Sequence, residues 1–497
     1  MSSNRGSRYW LLQTGQNFGK SDDHYSIPPS DGVLRMGISK SRTVLSEGQH
    51  SGTVNVTIGA KTYAHPNAVV QDNRTGLMWA QYASGGTLNA LKWDDECSFI
   101  PYMYRTGLEF EEYDVVKRTT TWAGHVRYVS RSGTSGKLYV TNEYGTYTSG
   151  QVQVTGKTTL ATAGNRVAAA NEDIWNYARL ANIAELGGYS DWRIPNIYEM
   201  LTIMDYKSGN AVPAEFHNID GTAGYCKWCS TSNSYGTSPH GYAAMAEFSN
   251  GLLHSAMNSY VITGSPFKPA PLVTIGCVLV RGPIDGSFPC LPLYTGQVIS
   301  YPSFYGEDGV LRLGGSRIFE GLTTGQYSGT VGIVMNGGER TNTFSNNAVL
   351  DKRTDLMWTK EHSNTIGHAA NGQLYWLDPG IDAYSAPDYE QASRMDAFEF
   401  CSLANKAGLS GYSDWRVPNV YELMSIFESG SDGRWFGGSV YWGSYYINGV
   451  CTSTILPSDS DYAIYILPSN GGATSLGIWS GIEFVRLVRG GHKDQDL

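Results

Sequence analysis

Charge is scarce in this 497-residue chain, where Asp, Glu, Lys and Arg together make up 16% of the residues. The 45 acidic residues outnumber the 36 basic ones, giving a net charge of −9, and the basic residues gather in no run. That excludes a broad nucleic-acid surface. Cysteine is sparse as well. The seven (Cys97, Cys226, Cys229, Cys277, Cys290, Cys401 and Cys451) form an odd, scattered set that suits no disulfide framework. Cys226-Lys-Trp-Cys229 has metal-ligand spacing, but no second pair and no His-x₃₋₅-His completes a zinc site, so buried thiols are expected. No stretch reaches the roughly 18 uninterrupted apolar residues of a membrane span. Met1–Trp10 lacks the apolar segment of a signal peptide, so a chain made without an export signal is expected. Long Ala/Glu/Lys/Leu stretches are also missing, which argues against a mainly helical protein.

What is present is glycine (59), tyrosine (33) and a 41% hydrophobic content. That mixture favours short strands, frequent turns and aromatic surfaces. The length calls for more than one domain. Internal repetition shows how it is divided. Thr14-Gly-Gln16 returns as Thr295-Gly-Gln297, and Asp31-Gly-Val-Leu-Arg-Met-Gly37 as Asp308-Gly-Val-Leu-Arg-Leu-Gly314. Ser51-Gly-Thr-Val54 returns as Ser328-Gly-Thr-Val331, and Asp72-Asn-Arg-Thr-Gly-Leu-Met-Trp79 as Asp351-Lys-Arg-Thr-Asp-Leu-Met-Trp358. Gly188-Tyr-Ser-Asp-Trp-Arg-Ile-Pro-Asn196 reappears as Gly411-Tyr-Ser-Asp-Trp-Arg-Val-Pro-Asn419, and each unit closes on Val-Arg-Gly. Matches in one shared order mark a tandem duplication.

Trp79 and Asp191 stand twice as far apart as Trp358 and Asp414, so the first copy carries an insertion, placed at 99–162. Its alternating text (His125-Val-Arg-Tyr-Val-Ser, Lys137-Leu-Tyr-Val-Thr, Gln151-Val-Gln-Val-Thr) predicts an antiparallel excursion of two to four strands. The first unit runs over 8–285, with a β-rich lead at 8–66 and a module at 67–98 and 163–285. The second runs over 291–490, with a lead at 291–345 and a module at 346–490. Each module opens with a helix. In the first, Asn171 is a candidate cap, and Ile174, Tyr177, Ala178, Ala181 and Ala184 fall at helical spacing before Gly187-Gly188. In the second, Asp388 and Gln391 have the spacing of a capping box. A second short helix follows each proline, where Asn196-Ile-Tyr-Glu199 and Asn419-Val-Tyr-Glu422 repeat the N-cap-x-x-Glu pattern. Apolar strands at Leu272–Arg281 and Glu483–Arg489 close the units. Helix, helix, then irregular β is an α+β arrangement.

Thr-Gly-Leu-Met-Trp, the Gly-Tyr-Ser-Asp-Trp-Arg-hydrophobic-Pro run with its downstream Glu, a later Trp-x-Ser and the closing Val-Arg-Gly resemble the Lcl C-terminal domain family. The Thr-Gly-Gln and Asp-Gly leads resemble what precedes such domains. The resemblance covers most of both units outside the insertion. It implies two tandem C-type-lectin-like modules, and relatives that are mostly bacterial surface or phage-associated proteins, several implicated in glycan binding. Fold alone does not give function.

The charged residues of the repeated motif invite functional and structural readings. Asp191 with Arg193, and Asp414 with Arg416, are expected to form ion pairs that fix the turn into the second helix. Glu199 and Glu422 stand where a carboxylate takes the N-cap amide and favours the helix dipole, which is expected before a role as general acid. Sugar-binding calcium sites of C-type lectins use Glu-Pro-Asn or Gln-Pro-Asp. Here Ile194 and Val417 precede proline and offer no oxygen, so that calcium mechanism is not expected, while an ion elsewhere in a loop stays open. The fold implied by the resemblance also supports formylglycine-generating enzymes, which need a reactive thiolate. Cys277, Cys401 and Cys451 each lack an equivalent in the other copy. No Ser/His/Asp set, P-loop or dinucleotide fingerprint is found, and no enzyme, cofactor or metal is expected.

The remaining candidates are aromatic. Arg434-Trp-Phe-Gly-Gly-Ser-Val-Tyr-Trp442-Gly-Ser-Tyr-Tyr-Ile447 sets Trp435, Tyr441, Trp442, Tyr445 and Tyr446 among glycines and serines, a mixture suited to stacking on sugars or to a paratope-like surface. Trp228 plays that part in the first copy. Trp228, Tyr441 and Trp442 can equally be core residues, whereas Trp435, Tyr445 and Tyr446 fit exposure better. The expected function is a non-enzymatic virion surface protein (phage fibre, decoration or tail component) that displays lectin-like modules toward a host surface or glycan. Its partners would be other virion subunits, including copies of itself. A bacterial cell-surface adhesin, or a purely structural particle protein without a glycan ligand, is the alternative. The lack of an export signal favours the virion, because particles released by lysis need none.

Overall fold

The structure, a computed structural model, describes residues 11–16, 31–58, 61–88, 174–207, 209–219, 226–233, 242–257, 275–282, 308–311, 313–335, 340–361, 397–428, 449–459, 462–467, 472–477 and 484–493, with shorter stretches between them. It is a mixed α+β protein with mostly antiparallel sheets and few helices, and the two copies repeat one plan.

In the first copy β1 (Arg42–Leu45), β4 (Val69–Asp72), β5 (Met78–Ala80) and β13 (Val280–Arg281) form an antiparallel sheet in that order, with β2 (Thr53–Ile58) and β3 (Lys61–Pro66) as a separate hairpin. The turn between β4 and β5 follows from the repeated Asp-x-Arg-Thr text. Asp72 Oδ1 accepts the Arg74 and Thr75 amides at 2.9 and 3.2 Å, and Gly76 then takes φ +72°. In the second copy Asp351 Oδ1 accepts the Arg353 amide, and Asp355, replacing the glycine, adopts φ +57°, a conformation that aspartate tolerates better than most residues. The equivalent sheet there joins β14 (Phe319–Leu322), β17 (Ala348–Asp351), β18 (Leu356–Thr359) and β22 (Val488–Gly490), with β15 (Thr330–Met335) and β16 (Arg340–Ser345) as the hairpin. The closing strands are shorter than the apolar runs suggest. Upstream of β13, backbone carbonyls serve several partners instead of one strand: Ile275 accepts from Leu91, Gly276 from Trp228 and Cys277 from Ser84.

The inserted segment contributes four short strands: β6 (Tyr113–Lys117), β7 (Val129–Arg131), β8 (Leu138–Val140) and β9 (Gln153–Thr158). β7 pairs with β8 and β6 with β9, both antiparallel, as the alternating sequence anticipates. Helix α1 (Ile174–Ile183) buries Ile174, Tyr177, Ala178 and Ala181, the expected face, and the chain turns away at Gly187 with φ +61°. Its counterpart α3 (Ala397–Ala407) buries Phe398, Phe400, Cys401 and Ala404. The expected caps Asn171, Asp388 and Gln391 lie outside the described residues. Helices α2 (Ile197–Ile203) and α4 (Val420–Ser425) both begin with the predicted capping box.

The lead stretch of each unit divides in two. Its latter part supplies β1–β3 or β14–β16 to its own unit, whereas its earlier part crosses to the other copy. Gln16 donates to the carbonyl of Ile455 at 3.0 Å, Gly37 donates its amide to His492, and Asp31 accepts from Thr454. In return, Asp308 accepts from Thr231, and Asn196 donates to the Leu313 carbonyl. Gly37 and Gly314, at φ +104° and +120°, explain the glycine that ends both Asp-Gly-Val-Leu-Arg-x-Gly runs. A Cβ at either would stand 2.7 Å from the backbone of Leu12 or Leu293.

The seam between copies is itself a core rather than a contact of surfaces. The outer strands β10 (Cys226–Asn233), β11 (Tyr242–Glu247) and β12 (Leu252–Met257) of the first copy continue through β21 (Gly472–Gly477), β20 (Tyr462–Leu467) and β19 (Val450–Ile455) of the second into one six-stranded sheet, joined at Leu253 and Ala473. Each copy keeps a core of its own. A third apolar cluster draws Trp79, Tyr198 and Phe248 together with Trp358, Tyr421 and Phe427. Helices α2 and α4 exchange tyrosines here. The Tyr198 hydroxyl shares its proton between the carbonyls of Met424 (2.8 Å) and Phe427 (2.5 Å), and that of Tyr421 lies between the carbonyls of Leu201 and Met204. Each tyrosine thus adds a donor at the end of the opposite helix, where carbonyls lack the donor of a following turn. Arg317 lies over the Tyr198 ring at 5.1 Å and Lys40 over Tyr421 at 5.2 Å, adding a cation–π contact on each side. Replacing Tyr198 or Tyr421 by phenylalanine keeps the packing and removes a hydroxyl donor shared across the seam. A loss of about 0.5–1.5 kcal/mol per site is expected in denaturant titrations.

Candidate functional site

The Gly-Tyr-Ser-Asp-Trp-Arg-x-Pro-Asn run forms the most elaborate polar arrangement in each copy, built around its tryptophan. Trp192 is fully buried, and its indole donates to the Leu186 carbonyl at 2.8 Å. The Asn182 side chain clasps the Trp192 backbone from both sides, accepting its amide at 2.6 Å and donating to its carbonyl at 2.9 Å. Trp415 repeats this with Leu409 and Asn405 at 2.8, 2.7 and 2.8 Å. The clasp fixes the extended stretch against the preceding helix, so the residues after tryptophan emerge in a set direction.

The ion pairs differ from the sequence expectation. Arg193 does not pair with Asp191. Its guanidinium forks onto both oxygens of Glu199, at 2.7 and 2.6 Å, and also donates to the Gly282 carbonyl at 2.6 Å. Arg416 does the same with Glu422 at 2.5 and 2.6 Å, and with Gly490 at 3.0 Å. Asp191 instead takes Arg281 of the closing Val-Arg-Gly at 2.6 Å, and Asp414 takes Arg489 at 2.7 Å. The physical reason lies in the extended backbone around Arg193 and Arg416, each in a bridge to the closing strand (Arg193 with Val280, Arg416 with Val488), which turns their side chains inward to the capping box. Glu199 and Glu422 also accept the amides of Asn196 and Asn419, at 2.9 and 3.0 Å. Both oxygens of each carboxylate are engaged in holding the helix start.

The outward side of the motif is different. Arg281 lies flat on Tyr189 at 3.8 Å and Arg489 on Tyr412 at 3.6 Å. The carboxylates they hold remain about half exposed, Asp191 at 51% and Asp414 at 59%. A helical turn from the hairpin side stands beside each tyrosine: Gln49 donates to the Tyr189 hydroxyl at 3.3 Å, and the hydroxyls of Tyr327 and Tyr412 meet at 2.7 Å. Each copy therefore presents an aromatic edge, hydroxyls and a carboxylate with spare lone pairs on a rigid floor. Sequence reasoning missed this face. Its signal was the arginine of Val-Arg-Gly, repeated in both copies.

Among the aromatic candidates, Trp228 is buried, and its indole donates to the Leu91 carbonyl at 2.9 Å. It packs the first core and offers no surface to a ligand. The backbone of Arg434–Trp435 pairs with Phe427–Glu428, which ties the start of the aromatic segment to the end of α4. The side chain of Trp435, and all of Tyr441, Trp442, Tyr445 and Tyr446, lie outside the described residues. Cys229, Cys277, Cys290, Cys401 and Cys451 are buried and Cys226 partly so. Burial pushes the Cys226 thiol up to about 11 and Cys401 up to about 12, which disfavours the nucleophilic thiolate at both. Among the described residues, no group of three or more His, Cys, Asp or Glu could hold a metal ion, and no helix is long and apolar enough to cross a membrane.

Curated proteins and solved structures give no match to the chain. The Lcl C-terminal domain matches it twice, over residues 68–262 and 347–489. Each match contains its copy of the tryptophan clasp, the forked Arg–Glu pair and the half-exposed aspartate. With more than half of its length covered, this chain belongs to the Lcl C-terminal domain family and carries two copies of that domain.

Proposed function

We propose that the chain is a non-enzymatic binding and display protein of a particle exterior, a phage fibre, decoration or tail component, whose two modules are C-type-lectin-like and face host-surface glycan. The observation that carries this reading is the fusion of the copies through a shared core, which presents the same face twice on one body. Two weak sites held at fixed separation engage a repetitive surface far more tightly than either alone. Half-exposed Asp191 and Asp414 beside tyrosines offer the acceptors and aromatic edges that sugar hydroxyls and apolar sugar faces use. The aromatic segment opens at Arg434–Trp435, whose backbone pairs with Phe427–Glu428 at the end of α4, an anchored start that suits a binding loop.

Two sets of substitutions in the full chain test the reading: Trp435, Tyr445 and Tyr446 to alanine, and Asp191 and Asp414 to asparagine. Attachment to host cells is expected to fall at least tenfold in the first set, as for truncated hot-spot aromatics worth about 2 kcal/mol or more. Assembly into particles should be unchanged. Failed assembly with the monomer still folded would support a structural subunit instead. Unchanged attachment and assembly in both sets would remove the binding reading.

A further inference from the structure

The two crossing points of the leads share an unusual chemistry. Asp31 Oδ2 accepts from Thr14 of its own lead at 2.7 Å and from Thr454 of the other copy at 2.9 Å. Asp308 Oδ2 accepts from Thr295 of its own lead and from Thr231 of the other copy at 3.0 Å. Both aspartates are buried, at 2% and 1% exposure, and no cation touches either among the described residues. The nearest guanidinium groups are already committed, Arg416 to Glu422 and Arg193 to Glu199. The other titratable groups facing Asp31 are Glu422, Tyr206 and Tyr421; those facing Asp308 are Glu199 and Cys229. Asp308 Oδ1 is buried without a hydrogen-bond partner, a position that suits a proton-bearing oxygen better than a charged one.

We propose that Asp31 and Asp308 are a matched pair of protonated latches, each fastening a lead to the opposite copy as a neutral carboxylic acid and placing an uncompensated buried charge in the seam when it ionises. An ionised carboxylate here would be a buried charge facing a neighbouring glutamate, with no free counter-ion among the described residues. Burial, acting against the threonine hydrogen bonds, pushes Asp31 up to about 6 and Asp308 up to about 7. A carboxyl raised in the folded state stabilises the fold fully below its unfolded value near 3.8, and that contribution is lost as pH rises through the folded value. The stability of the seam therefore falls as pH rises from about 4 to about 7. His65, which burial lowers to about 4, acts in the opposite direction between about 4 and 6.5, so the wild-type profile alone does not isolate the latches.

The decisive comparison is of the melting temperature of the full chain with Asp31→Asn, Asp308→Asn and the double variant from pH 5 to pH 8. Asparagine keeps the acceptor and places a donor where the proton sat. Each variant is expected to melt near wild type at pH 5 and to gain on it by several degrees at pH 8, with most of the gain reached by about pH 7. An offset that is constant with pH, or that turns more destabilising toward pH 8, overturns the proposal, because the native carboxylates would then be ionised. Should the variants fail to fold, infrared titration of the wild type decides. A carbonyl band of buried protonated carboxyl, present at pH 5.5 and lost by pH 8.5, is expected, and its absence at pH 5.5 overturns the proposal.

Discussion

Replacing Trp415 by alanine is expected to lower the unfolding free energy of the chain by about 3–5 kcal/mol, and Trp192→Ala by a similar amount. Three losses combine at one site. The indole leaves a cavity where it was 2% exposed, and the Leu409 carbonyl loses one of its two donors. Tyr412, edge-on to the ring at 6.2 Å, loses the wall against which it holds Arg489. Because the copies share a core, the damage should not stay local. Denaturant unfolding followed by fluorescence of the remaining tryptophans should shift as a whole. A transition in which one copy unfolds well before the other would show that the shared core does not couple them.

Glu422→Ala is the second large effect. The substitution leaves the Arg416 guanidinium, only 12% exposed, without the carboxylate it forks onto, and leaves the Asn419 amide without its acceptor. Breaking one side of a buried ion pair typically costs about 3–5 kcal/mol, because the remaining charge stays uncompensated. Removing both partners, in Glu422→Ala with Arg416→Met, should cost less than Glu422→Ala alone. A double-mutant cycle in denaturant measures this. If the double variant were less stable by the sum of the single losses, the pair would contribute nothing as a pair. Glu199 with Arg193 offers the same cycle in the first copy.

The Asn-x-x-Glu start of α2 and α4 was legible because a capping box is local: the Asn side chain and the Glu side chain reach one another's backbone within a single turn. The identity of the arginine's partner was not. Asp191 and Glu199 both lie within a few residues of Arg193, and only the bridge to the closing strand decides that the guanidinium points inward. Arg281 joins Asp191 across 90 residues, a separation at which no periodicity speaks. The duplication was plain in the text, and the four-stranded insertion was anticipated by its alternation. Which copy each lead would dock on was hidden for a different reason. Thr231 and Thr454 supply the same hydroxyl in equivalent places, so the sequence offers no preference, and chain connectivity with the shared sheet makes the choice. Trp228 was ambiguous because an aromatic beside a polar run suits a binding loop and an edge strand equally well.

The crossed leads have a consequence for inheritance. A genetic break between Gly282 and Cys290 would divide the coding sequence neatly at the repeat, yet it would part residues 11–38 from the Thr454 and Ile455 that receive them, and Asp308 from Thr231. A half gained or lost by recombination would bring a lead whose partner is elsewhere. Only a close likeness between the two receiving sites would let it settle on its own copy. The unit in which both leads find their partners is thus the pair, and with a threonine at both receiving sites a single copy could place its lead on a twin.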